Sequence, residues 1–114
     1  MKGAVAQAKL WYWQRVSAMA LAVFVLVHLA TMVYAVRGGL DAAEILGRTR
    51  GSWVAGGFYA LFVLAAMVHA GIGLATIAQE WLGIGGRASR ALGLAFAIVT
   101  GALGLGAVYG VIFP

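Results

Sequence analysis

The chain has 114 residues, of which 64% are hydrophobic and 10% charged, with one proline and no cysteine. A soluble domain of this length needs far more polar surface, and the lack of cysteine excludes disulfides, thiolate metal sites and cysteine-held iron–sulfur clusters within it. The formal charge of +5 does not point to nucleic acid, because the cations flank apolar segments, where they set topology.

Three segments carry no charge: Val16 to Val36, Gly51 to Gln79 and Ala91 to Pro114. Each reaches the ~20 residues that a helix needs to cross a ~30 Å hydrocarbon core. They predict an all-α integral membrane protein, a single domain with three transmembrane helices at about 12–36, 53–80 and 91–113. Met1 to Leu10 form a short basic lead, and Trp11, Tyr12 and Trp13 then cluster at interface depth, where amphipathic rings prefer to sit. The first apolar run is too long for a signal peptide, and no small-residue cleavage site follows it before Arg37. Gly38 and Gly39 supply its stop.

Between the first two spans, Asp41 followed three residues later by Glu44 resembles a capping box. A short interfacial helix is expected there, with Ile45 and Leu46 resting on the membrane and Arg48 and Arg50 toward the headgroups. The second span runs from near Trp53 to Glu80-Trp81, and Gly83 to Ser89 form a glycine-rich turn. The third carries two small-residue rows, Gly93-Ala97-Gly101 and Ala102-Gly106-Gly110, whose spacing lets helix backbones approach closely in lipid. They serve either a partner subunit or this chain's own helices. Lys2, Lys9, Arg15, Arg87 and Arg90 fall on one side of the membrane and Arg37, Arg48 and Arg50 on the other, a bias that predicts a cytoplasmic N-terminus.

Within the spans the chemistry narrows to two histidines. An ionisable side chain at membrane depth is costly and marks a functional site by default. His69 lies in the uncharged run His69-Ala70-Gly71-Ile72-Gly73-Leu74, and Gly73, one turn on, removes a side chain from the same face, so that a flat group such as a porphyrin could lie there. His28 occupies the first span. By helical rise, His28 stands roughly 20 Å from Gln14 and His69 roughly 16 Å from Glu80. If Gln14 and Glu80 mark one surface, both histidines lie near mid-membrane, His28 slightly farther out. Neutral imidazole suits axial ligation of haem iron.

Ser17 precedes His28 by eleven residues and Glu80 follows His69 by eleven, about three turns, so each pair shares one helix face. Ser17 and Glu80 are then expected together at the N-terminal surface beneath the histidines, bordered by Arg15 and Trp81. These groups suit a quinone head: a hydroxyl donor, a cation for the reduced oxyanion, a proton-relaying acid and an indole donor. The alternative for each is structural, with histidines bonding a neighbouring helix and charges ending the spans. With three acids in all, Asp41, Glu44 and Glu80, and no nucleophile–base pair, catalysis by this chain alone is not expected.

The stretch Trp13-Gln14-Arg15-Val16-Ser17-Ala18, with His69 to Leu74 and Glu80-Trp81, resembles the small haem-b membrane anchor (cytochrome b subunit) of succinate dehydrogenase and fumarate reductase. The resemblance covers about residues 11 to 82 and rests on short motifs. It implies that His69 is an axial ligand of haem b and that Arg15, Ser17, Glu80 and Trp81 border the quinone site. Glu80-Trp81 stands where the family usually has aspartate–tyrosine, which keeps the acid and loses the titratable hydroxyl. His28 fits members with two haems, in which the first-helix histidine serves the outer one; one haem, or two shared with a partner, are both open. The resemblance further implies a bacterial inner-membrane location and three partners: a second membrane anchor, an iron–sulfur subunit and a flavoprotein. Two other readings compete. One is a haem-free membrane subunit of a transporter or assembly complex; the other is a b-type cytochrome subunit of another quinone-linked dehydrogenase.

Overall fold

A computed structural model describes residues 3–114; the placement of Lys2 among the N-terminal cations lies outside the described residues. The chain forms α1 (Ala4–Gly38), α2 (Ala42–Thr49), α3 (Trp53–Glu80) and α4 (Gly86–Ile112). The three long helices are each apolar and long enough to cross a membrane. Large apolar side chains such as Leu26, Val33, Leu61, Leu94 and Leu103 stand exposed along them. Such a surface is tolerable only where lipid, or another apolar chain, covers it.

Two helix starts differ from the expected spans. α1 begins at Ala4, well before Trp11, because Ala6, Gln7 and Lys9 favour helix and nothing interrupts the backbone ladder. α4 begins at Gly86, so the turn is confined to residues 81–85. Gly83 supplies the left-handed φ of 67°. Ile84 then donates its N–H to the Ala78 carbonyl at 3.0 Å, and the fully buried Ser89 hydroxyl donates to the Ile84 carbonyl at 2.9 Å.

At the opposite end α1 stops at Gly39, whose φ of 119° bars helix continuation and whose N–H reaches the Ala35 carbonyl. The Asp41 carboxylate accepts from the Glu44 N–H at 2.8 Å and starts α2. Arg48 does not reach outward as the sequence suggested. It folds back, donating to the Gly39 carbonyl at 3.1 Å, lying 3.9 Å from Glu44 and packing over Tyr34. The same segment is fastened to the end of α4: the Thr49 hydroxyl donates to the Val111 carbonyl at 2.9 Å and the Gly51 N–H to the Ile112 carbonyl at 2.8 Å.

α3 is the central helix, with α4 packed closely on one side and α1 on the other, while α1 and α4 scarcely meet. On the α4 side, backbones come together through glycines. A Cβ on Gly71 would stand 3.0 Å from Ala97 Cβ and 3.2 Å from the Gly93 carbonyl oxygen, and one on Gly93 would run into the Gly71 carbonyl. The Gly93-Ala97-Gly101 row therefore serves this chain's own packing. Gly106 and Gly110 of the second row face open space.

On the α1 side the contact is made by side chains. Phe24 meets Phe58 edge-on and Phe62 face-on, with centroids 5.4 and 5.7 Å apart. Ser17 lies against His69, and His28 against Tyr59. These pairs fix an antiparallel register in which each step up α1 is one step down α3.

Candidate cofactor site

The register places Ser17 at the level of His69. Ser17 is 4% exposed, and its hydroxyl oxygen stands 3.5 Å from Nδ1 of the half-buried imidazole. The same hydroxyl donates to the Gln14 carbonyl at 3.1 Å. Gln14 turns its side chain toward Gly73, one helical turn from His69, and its Nε2 would be 3.3 Å from a Cβ there. Gly73 thus clears room for the Gln14 amide of α1. Oε1 of that amide is buried without a hydrogen-bond partner, an uncommon state for an interior acceptor.

His28 is held in the same manner by the opposite helix. The Tyr59 hydroxyl lies 3.4 Å from its Nδ1, and the Phe62 and Tyr59 rings meet the imidazole edge-on at 5.7 and 5.8 Å. As the spacing predicted, Ser17 and His28 share one face of α1, the face that meets α3.

Depths along the bundle differ from the sequence estimate. Gln14 lies level with Gly73, so it cannot mark the same surface as Glu80, which is about 10 Å farther along α3. His28 and His69 consequently stand about 16 Å apart along the helix axis, on either side of the bundle's middle. Ser17 and Glu80 do not come together; Glu80 is exposed about 16 Å from the Ser17–His69 level. Trp81, 82% exposed, lies beyond it. Arg15 belongs to the Ser17 level rather than to that of Trp81, but two residues of helix turn it about 200° away from α3. It is exposed, its guanidinium 5.0 Å from the Trp11 ring.

Two open grooves flank the α1–α3 contact. One, of about 280 Å³, is lined by Trp13, Ser17, Ala20, Phe24, Ala65 and Val68 among others and is almost wholly apolar. The other, of about 310 Å³, lies where α1, α3 and α4 diverge and holds His28, Tyr59 and Thr100. Among the described residues, no cluster of three or more His, Cys, Asp or Glu side chains could cage a bare metal ion. A group that brings its own equatorial ligands needs only an axial imidazole, and His69 meets that need. One ring nitrogen is engaged by Ser17, and the apolar groove beside Ser17 is walled on α3 by Leu61, Leu64, Ala65 and Val68. The residues present fit a haem.

Sequence reasoning named Ser17, Gly73 and both histidines. It did not single out Tyr59, and it took Gln14 only as a depth marker. The signal for Gln14 was its place at the start of the first-helix motif. Tyr59 could be found only from the register.

A three-span bundle with a histidine on the central helix, its ring engaged by a hydroxyl from the first, defines the class as a multi-pass membrane subunit. The chain belongs to the succinate dehydrogenase/fumarate reductase transmembrane subunit family, whose profile matches residues 2–108. The match takes in all of α1, α2 and α3 and most of α4. Comparison with curated proteins gives no match, and comparison with solved structures gives none either.

Proposed function

We propose that this membrane subunit of a succinate dehydrogenase/fumarate reductase-type complex binds haem b through His69 and carries electrons between an iron–sulfur partner and membrane quinone. The observation that carries the reading is His69 itself: a half-buried imidazole inside an uncharged span, engaged at Nδ1 by a buried serine that also lines an apolar groove. Family membership favours this class over a transporter or assembly subunit. Haem supplies one-electron exchange when bound. The chain's own residues hold the ring, exclude water and offer the apolar wall.

The groove is open on its outer side, so a second membrane anchor would supply the closing wall and any further ligand that the group needs. Flavoprotein and iron–sulfur subunits dock at the end that carries the α1 N-terminus and the α3–α4 turn. That end holds Lys9, Arg87 and Arg90 and is assigned to the cytoplasm of a bacterial inner membrane. The quinone head lies on the same side. Glu80 serves as its proton relay and Trp81 as an apolar wall, while Arg15, about 3 Å along the axis from the Ser17–His69 level, provides a cation from the outer face of α1. α2, with Ile45 exposed and Leu40 exposed just before it, rests at the opposite interface.

The test is a His69→Ala variant in the purified complex. Loss or displacement of the b-type reduced-minus-oxidised spectrum is expected, and an unchanged spectrum removes the assignment. A haem-to-flavin ratio of two would add His28 as the ligand of a second haem, whereas a ratio of one leaves His69 alone.

A further inference from the structure

A serine hydroxyl has one proton and two lone pairs. At Ser17 the proton is directed to the Gln14 carbonyl, 3.1 Å away, and the same oxygen stands 3.5 Å from Nδ1 of His69. An oxygen whose proton is so engaged meets the ring as an acceptor. We infer that Ser17 is a positioning residue for His69: it accepts the Nδ1–H, fixes that tautomer and leaves the Nε2 lone pair free to ligate iron. This rests on the haem reading above. The assignment moves Ser17 away from the quinone role that its spacing suggested. Ser17 is 4% exposed, and although it lines the apolar groove its hydroxyl is turned to the Gln14 carbonyl and the imidazole. The arrangement recurs with the helices exchanged, where the Tyr59 hydroxyl of α3 stands 3.4 Å from Nδ1 of His28 on α1.

A ligating imidazole that donates its second N–H to an acceptor becomes a more basic ligand, and its ring orientation is set. A more basic ligand favours ferric iron, so removal of the acceptor should raise the midpoint potential. In Ser17→Ala, the reduced-to-oxidised ratio at the wild-type midpoint should rise about threefold, equivalent to ~28 mV at ~59 mV per tenfold for one electron. Ser17→Thr, which keeps the hydroxyl, should return the ratio toward the wild-type value.

The measurement is a potentiometric titration of the intact purified complex, with low-temperature EPR of the ferric haem as a readout of ring orientation. A raised potential and altered EPR signal in Ser17→Ala, both restored in Ser17→Thr, support the inference. Wild-type potential and EPR in Ser17→Ala overturn it while leaving the haem reading intact. If Ser17→Ala assembles without haem, Ser17→Thr decides: wild-type potential supports the role, and a shifted potential or absent haem overturns it. A His69→Ala complex that keeps its spectrum removes the haem reading itself, and the role of Ser17 with it.

Discussion

The two sides of α3 are built on different principles. Toward α4 it presents Gly71, and backbone meets backbone with no room for a single added carbon. Toward α1 it presents Tyr59, Phe62, His69 and Gly73, and the contact is made by rings, a hydroxyl and an amide, with grooves on either flank. In lipid the hydrophobic effect does not drive helices together, so close packing of small residues must do it. The glycine side is accordingly the scaffold. The side that carries the histidines gives up close packing and keeps imidazole rings partly open. Gly71 and Gly73 sit two residues apart and belong to different faces and different tasks.

That contrast can be broken most forcefully at Gly93. Gly93→Leu would drive a side chain into the Gly71 carbonyl, and the purified protein should lose stability at or beyond the upper end of ~1–3 kcal/mol, with a matching fall in thermal midpoint in detergent. A wild-type melting curve would deny the scaffold role of the α3–α4 contact. A finer comparison uses one substitution at two glycines. Gly71→Ala meets Ala97 and the Gly93 backbone and should cost about 1–2 kcal/mol, whereas Gly73→Ala meets only the movable Gln14 amide and should cost under about 0.5 kcal/mol. Gly73→Ala should nonetheless alter the haem spectrum, because it displaces the Gln14 amide one helical turn from His69; equal stability losses would erase the distinction.

Away from both contacts, Asp41→Ala removes the α2 cap and should cost about 1 kcal/mol with no change in the haem spectrum. Tyr59→Phe should cost about 0.6 kcal/mol, the usual worth of a hydrogen bond between membrane helices. Its spectrum then reports on His28: unchanged if His69 alone ligates, altered if His28 also holds a haem.

The helices themselves were legible because absence of charge over ~20 residues has few other meanings. The stops were legible too: Gly39, the Asp41–Glu44 cap and the Gly83 turn depend on local backbone chemistry that the residues state directly. The register of α1 on α3 was not. Taking Gln14 and Glu80 as level was reasonable from the ends of the apolar runs, yet α1 continues as helix back to Ala4 and slides Gln14 inward to Gly73. Which glycine row of α4 faces inward was equally hidden. Lipid and protein interior are both apolar, so polarity does not separate the buried face of a span from the exposed one. The pairing of Ser17 with His69 followed from that unseen register, although the sharing of one helix face by Ser17 and His28 did not depend on it.

The fastening around α2 has a mechanical consequence. Arg48 ties the end of α1 through Gly39, and Thr49 and Gly51 tie the end of α4, so the two helices are anchored at the same end of the bundle. At its other end α1 has no side-chain cap, and the turn there joins only α3 to α4. Any tilt of α1 against its side-chain contacts with α3 would therefore pivot near Gly39. Ser17 lies about 33 Å from that pivot, and a tilt of about 5° would carry it about 3 Å, roughly the length of one hydrogen bond. Small adjustments at the clamped end are thus magnified where the imidazole of His69 is held.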